Sequence, residues 1–226
     1  MLFSGGLDSA VLLALELRAY ERVLPIHVRT GLAWEAAEAR AIACLLAQAP
    51  FAGRVEPGAS LAVDMRDVYP ATHWAVEGRP PAYDTPDEDV YLEGRNLILI
   101  SKAAVLCARR AIGRIALGPL AGNPFPDATP QFLAAIAHAA SLGLDHAIEV
   151  AAPLVDRRKA DVVRLGLELG VPLELTLSCM NPQGDRHCGR CSKCRERIDA
   201  FTEVGLEDPV EYASSWTPRG GSQDNT

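Results

Sequence analysis

Residues 1–17 read MLFSGGLDSAVLLALEL, and the junction Ser4-Gly5-Gly6-Leu7-Asp8-Ser9 within them decides the fold. The apolar pair Leu2-Phe3 reads as the stub of a strand. The apolar residues that follow recur at helical spacing and predict a helix from about Asp8 to Ala19. A plain strand-to-helix turn needs one glycine and one cap. This one carries two glycines and two serines. Gly5 and Gly6 let backbone N–H groups converge into a nest for an anion. The helix N-terminus adds unpaired N–H groups and its dipole, and Ser4 and Ser9 add hydroxyl donors. Together Ser4, Gly5, Gly6, Leu7, Asp8 and Ser9 suit a pyrophosphate. The alternative is a glycine turn capped by Asp8 or Ser9. No Gly-Lys-Ser/Thr follows, so the loop is not of the Walker type, and it is not Gly-x-Gly-x-x-Gly.

Working outward, strands alternate with helices. Strands are expected at residues 23–28, near 61–63, at 114–118 and at 147–150. Helices are expected at residues 34–48, 96–111, 130–142 and 157–169, the last ended by Gly170 with Pro172 beyond it. Residues 50–89 are rich in proline and aspartate and read mostly as loop, long enough to cover a site. Alternation of this kind predicts an α/β fold, a doubly wound and mostly parallel sheet with helices on both faces. Ligands of such sheets bind beyond the carboxyl ends of the strands at the switch point, which is where the Ser4–Ser9 junction falls. The division expected is an α/β domain over 1–175, a C-terminal metal-binding segment over 176–212, and a disordered tail over 213–226.

The chain has 226 residues, 49% hydrophobic and 23% charged, which is ordinary for one large globular domain. A net charge of −7 argues against a protein that works by non-specific contact with nucleic acid. No apolar run approaches the roughly 18 residues of a membrane span, and no basic segment precedes Leu2-Phe3, so a cytoplasmic location is expected. Four of the six cysteines, Cys179, Cys188, Cys191 and Cys194, fall within 16 residues. In a cytosolic chain such crowding points to metal before disulfide. Four thiolates fill a tetrahedral zinc shell with no open position, so the site reads as structural, with His187 as a competing ligand. Cys44 and Cys107 read as core residues.

The loop SGGLDS after a first strand resembles the pyrophosphate loop of the N-type ATP pyrophosphatases, which adenylate a carboxylate or carbonyl oxygen and let a nucleophile displace AMP. The cysteine pattern, Cys-x8-Cys-Gly-x-Cys-x-x-Cys-Arg, resembles the zinc segment of the 7-cyano-7-deazaguanine synthases among them. Glu93-Gly94-Arg95-Asn96, the loop GPLAGNPFPD over 118–127 with Pro130-Gln131-Phe132, and the run from Lys159 to Gly166 are similar to further blocks of that family. The resemblance runs from about residue 3 to 205. Where the family usually carries Ser-Gly-Tyr-Pro-Asp-Cys-Arg, this chain reads Gly122-Asn123-Pro124-Phe125-Pro126-Asp127-Ala128-Thr129, without the Cys-Arg pair. The stretch HVRTGLAWEAAEAR over 27–40 departs as well.

The resemblance implies an ATP-dependent ligase that adenylates 7-carboxy-7-deazaguanine and uses ammonia to form 7-cyano-7-deazaguanine, a queuosine precursor. It implies Mg²⁺ with ATP near Asp8, Lys159 and Arg95 balancing charge at the phosphates, and Asn96, Asp127 and Phe132 at the substrate. It also implies small-molecule partners only, no membrane and a homodimer. Trp34 reads as core or as a stacking platform for adenine. A related enzyme acting on another carboxylate, or one that transfers an activated deazaguanine to a macromolecule, stays open, and a tRNA thiolase less so.

Overall fold

The computed structural model describes residues 1–214 of the chain. Its sheet is built from short parallel strands: β1 (Ile26–Arg29), β2 (Ala59–Ala62), β3 (Arg114–Ala116) and β4 (Glu149–Ala151). β1 pairs with β2 in the register Ile26↔Ala59, and β3 with β4 in the register Arg114↔Glu149. The extended segment Met1–Phe3 joins the two pairs. Ile26 N donates to Met1 O at 2.8 Å and Phe3 N to Ile26 O at 2.8 Å, while Leu2 N donates to Ala116 O at 2.9 Å. The N-terminal stub therefore lies at the centre, between β1 and β3, and the chain winds outward from it in both directions. The junction after it is the switch point. β1 begins at Ile26 rather than Val23 because Pro25 has no N–H for the ladder.

Helices α1 (Leu7–Ala19), α2 (Glu35–Leu46), α4 (Arg95–Arg109), α5 (Pro130–Leu144) and α6 (Lys159–Glu168) occupy the stretches expected of helices. α1 is buried on nearly all sides, through Leu7, Val11, Leu12, Leu13 and Leu17, and forms the centre of the main core with Phe3, Leu154, Val162 and Val163. α6 approaches it closely. A Cβ on Gly166 would sit 2.9 Å from Val11 Cγ2, so only glycine permits that crossing.

Two helices were not legible beforehand. The loop over 50–89 contains a one-turn helix, α3 (Trp74–Glu77), whose N-cap His73 accepts from Ala75 N. The cysteine segment continues into α7 (Ser192–Glu203), which begins at Cys191 as its N-cap and buries Cys194, Arg197, Ala200 and Phe201. Trp34 resolves to core: it is 5% exposed and stacks on Trp74 with ring centroids 5.8 Å apart. Cys107 is buried, as expected, but Cys44 is exposed on the outer face of α2, a correction to its reading as core. Of the tail expected from 213, residues 215–226 lie outside the described residues. Ala213 and Ser214 are tied to the cysteine segment, Ala213 N to His187 O at 2.7 Å and Ser214 Oγ to Cys188 O at 2.7 Å. Among the described residues no helix is long and apolar enough to cross a membrane.

Candidate active site

The Ser4–Ser9 loop leaves the central strand and turns into α1. Gly5 takes a φ of +74°, and a Cβ there would meet Ile42 Cγ1 at 3.1 Å and Ile42 N at 3.2 Å, so the position demands glycine twice over. Gly6 is the N-cap of α1 in extended conformation. The hydroxyls stay inside the loop: Ser4 Oγ lies 3.3 Å from Ser9 Oγ and 3.4 Å from Gly6 N, and Ser9 Oγ donates to Gly6 O at 3.0 Å. Leu7 is 1% exposed, so its side chain anchors the loop in the core and only its amide is offered to a ligand. The first N–H groups of α1 have no carbonyl within the helix and face beyond its end.

A cavity of about 270 Å³ opens over the carboxyl ends of the strands. Ser4, Asp8 and Ser9 line one side of it, and Arg95, Asn96 and Asp127 line it from α4 and the loop after β3. A larger depression, about 420 Å³, lies between Met1, Glu16, Glu56 and Arg114 at the amino ends of the strands. The smaller one is the better candidate, because helix N-termini and loops converge only on the carboxyl side of a parallel sheet.

Charge in the cleft is arranged in pairs. Asp8 Oδ2 receives Lys159 Nζ at 2.7 Å, and Lys159 also touches Glu196 Oε1 at 3.2 Å. Burial pulls the Lys159 pKa down, but Asp8 and then Glu196 more than offset this, and the ammonium is held above its ordinary value. Lys159 is not among the cavity-lining residues; it stands behind Asp8. Asp8 Oδ1 is buried with no hydrogen-bond partner among the described residues. On the other side, Asp127 is 6% exposed, and its carboxylate accepts from Asn96 N at 2.9 Å and from Asn96 Nδ2 at 3.3 Å. That pair ties the turn Pro126–Ala128 to the first turn of α4, whose N-cap is Gly94. Arg95 is the one lysine or arginine lining the cavity among the described residues, and its Nε is buried without a partner there. Phe132 is not brought to the cleft. It packs beside Ile100, Leu117, Leu133 and Ile136.

Several lining residues were not singled out in the sequence. His27 Nε2 lies 3.2 Å from Glu38 Oε2, both residues 8% exposed. An acid on the inner face of α2, one turn after Trp34, was the available hint. Tyr91 and Phe125 stack at 5.2 Å and form an aromatic wall suited to a flat heterocycle.

The four cysteines do come together. Their Sγ atoms all lie within 4.8 Å of one another, with Cys191–Cys194 at 3.5 Å and Cys188–Cys194 at 3.9 Å. Those two separations match the roughly 3.8 Å edge of a tetrahedron with metal–sulfur bonds near 2.3 Å. Backbone N–H groups of Asn181 and Cys188 point at Cys179 Sγ at 3.3 and 3.2 Å, as suits a sulfur carrying negative charge. Among the described residues His187 does not fall within the cluster, and its Nε2 accepts from Ser178 N at 3.0 Å. The cluster is compatible with a structural metal site.

The model of the family "Queuosine biosynthesis protein QueC" matches residues 1–205. The chain belongs to the QueC family. Its α/β architecture is accordingly the N-type ATP pyrophosphatase fold, with the cysteine cluster at its C-terminal end. Among QueC relatives, the 7-cyano-7-deazaguanine synthase of Methanoculleus marisnigri is 36% identical over 225 residues, 93% of this chain and 96% of that one. That of Methanothrix thermoacetophila is 35% identical over 222 residues, with the same shares. That of Anaeromyxobacter dehalogenans is 33% identical over 237 residues, 94% of each chain.

Proposed function

We propose that this protein is an ATP-dependent carbon–nitrogen ligase that converts 7-carboxy-7-deazaguanine and ammonia to 7-cyano-7-deazaguanine. The observation that carries the reading is the single cavity that joins Ser4, Asp8 and Ser9 of the glycine loop to Arg95, Asn96 and Asp127 across the switch point, in a chain of the QueC family.

A carboxylate resists ammonia, because its charge repels the nucleophile and oxide is a poor leaving group. Transfer of AMP to its oxygen removes both obstacles. The carboxylate oxygen attacks the α-phosphorus and pyrophosphate leaves into the Ser4–Ser9 loop, whose N–H groups and hydroxyls take up its charge. Ammonia then adds to the acyl carbon, AMP departs and a proton is lost, giving the amide. A second ATP activates the amide oxygen with release of a second pyrophosphate, and loss of AMP and of both amide protons gives the nitrile. Arg95 balances charge on the phosphates or on the incoming carboxylate, and Lys159 holds the Asp8 carboxylate in place. The guanine-like ring lies against Tyr91 and Phe125, with Asp127 accepting from its N–H edge through lone pairs that Asn96 leaves free.

The three acids lining the cleft each have a partner, so among the described residues a bare triphosphate finds one free cation there, Arg95. A divalent ion is needed to make up the balance, and Asp8 Oδ1, buried without a partner among the described residues, fits as a ligand for Mg²⁺. That ion would neutralise the phosphates and favour pyrophosphate departure. For the cysteine cluster the fitting metal is zinc, bound for structure rather than chemistry. A homodimer in the cytoplasm remains part of the proposal.

The test supplies ATP, Mg²⁺, ammonia and 7-carboxy-7-deazaguanine and follows AMP, amide and nitrile by mass spectrometry. The carboxylate should raise AMP formation well above background and yield nitrile. AMP formation with a different acid and none with this one would keep the ligase class and remove the substrate.

A further inference from the structure

Four consecutive residues of α7 engage four different neighbours. Cys194 belongs to the thiol cluster. Arg195 clamps the loop over 83–87, donating to Tyr83 O at 2.7 Å, Thr85 O at 2.8 Å and Asp87 Oδ1 at 2.9 Å. Arg197, fully buried, binds Asp208, Thr176 Oγ1 and Leu173 O. Glu196 alone reaches toward the glycine loop. Its Oε1 lies 3.2 Å from Lys159 Nζ and its Oε2 2.7 Å from Lys193 Nζ, and Lys159 Nζ lies 2.7 Å from Asp8 Oδ2. Charges alternate along Lys193, Glu196, Lys159 and Asp8 and cancel.

We propose that Glu196 is a positioning residue for the phosphate loop: it fixes the Lys159 ammonium, and through it the Asp8 carboxylate, so that the helix grown from the cysteine cluster sets the geometry of the loop at the other end of the chain. The inference rests on the reading of Ser4–Ser9 as a pyrophosphate site, and not on which acid is adenylated.

The physical reason lies in the lysine. Its four-carbon stem has many rotamers, and an ammonium with one partner can swing about it. Paired at once with carboxylates on α1 and α7, it is confined more tightly than one partner would confine it. The occupied Asp8 Oδ2 then leaves Oδ1 as the oxygen available to a ligand. A Glu196 that merely bolted α7 to α6 would matter for stability and leave Asp8 indifferent.

The experiment uses the full-length, metal-loaded protein with Glu196→Gln, which keeps the shape and removes the charge, and Glu196→Asp. Three quantities are read: affinity for a non-hydrolysable ATP analogue with Mg²⁺ by calorimetry, the Mg²⁺ concentration at half-maximal AMP release, and Tm. Glu196→Gln should slow AMP release roughly 10-fold and raise the half-saturating Mg²⁺ several-fold, in the range seen for outer partners of ligating carboxylates. Its Tm should stay within about 3 °C, and Glu196→Asp should recover part of the loss. In a Lys159→Met background, adding Glu196→Gln should cost no further affinity for the Mg²⁺–analogue pair. An unchanged Mg²⁺ dependence, full additivity with Lys159→Met, or a loss matched by the fraction unfolded would each overturn the proposal. A wild type that binds the analogue but releases no AMP with the deazaguanine acid removes the substrate reading, and the calorimetric arm still decides Glu196. A wild type that binds no nucleotide removes the loop reading and this inference with it.

Discussion

Residues 4–9 and residues 179–194 are both short and dense in small polar side chains, yet they are held by opposite means. The glycine loop is clamped from outside, between Phe3 at 2% and Leu7 at 1% exposure, and its serines and Asp8 add little to the core. In the cysteine segment the polar side chains are themselves the core. Cys179, Cys188, Cys191 and Cys194 are all buried, and beside them Arg197 is fully enclosed in hydrogen bonds. One region keeps function and stability apart, and the other merges them. Substitutions in the loop should therefore silence the protein without unfolding it, while those in the cysteine segment should unfold it first.

The largest effect should follow removal of the zinc proposed for the cysteine cluster. Chelation, or Cys191→Ser, should lower Tm on the order of 10 °C, because metal-binding free energy is here folding free energy. Hydrogen exchange should show residues 176–214 losing protection while α1 keeps it. A metal-free protein with unchanged Tm would break the comparison on this side.

Acid should act on the same segment next. Burial, and then the nearby Arg197, hold the His187 pKa down to about 4, against an ordinary value of 6.5. Between these values the unfolded chain binds a proton that the folded chain does not. The stability tied to His187 is thus fully present above pH 6.5 and is lost as pH falls toward 4, by about 3 kcal/mol at most. His187→Gln, whose amide oxygen can still accept from Ser178 N, should flatten that part of the pH–stability curve. An equally steep curve in the variant would assign the loss to other groups.

In the loop, Asp8→Asn should cut AMP release roughly 100-fold while moving Tm by no more than about 3 °C. Turnover near that of the wild type would end the pyrophosphatase reading. The smallest effect sits between the two regimes. Asp127→Asn weakens the bond to Asn96 N and should cost about 1 kcal/mol in denaturant melts. It should also raise KM for the acid substrate more than KM for ATP. Equal changes in both would mean that Asp127 only braces α4.

Both regions were legible in the sequence because each is contiguous. Two glycines at a strand–helix junction and four cysteines at knuckle spacing are local patterns, set by backbone freedom and ligand count. What surrounds them was less legible. α7 was missed because its inward stripe reads Cys194, Arg197, Ala200, Phe201, and an arginine there looks like surface until Asp208, Thr176 and Leu173 enclose it. The resemblance put Phe132 at the substrate, but helical spacing with Leu133 and Ile136 sends it to the apolar flank of α5. The pair His27–Glu38 joins a strand to the following helix, and neither residue announces the other.

The sequence by itself determined the alternation of strands and helices, the glycine turn at the first of them and the thiol cluster at the end, because periodicity, glycine conformational freedom and ligand spacing act over a few residues. The tertiary structure alone decided that Met1–Phe3 runs through the middle of the sheet, that Asp8 is gripped by Lys159 from α6, and that Lys159 answers to Glu196 beside the cysteines. Ion pairs between half-buried groups depend on which elements are packed together, and that packing is set by the apolar faces of α1, α6 and α7 rather than by the charges they bring into contact.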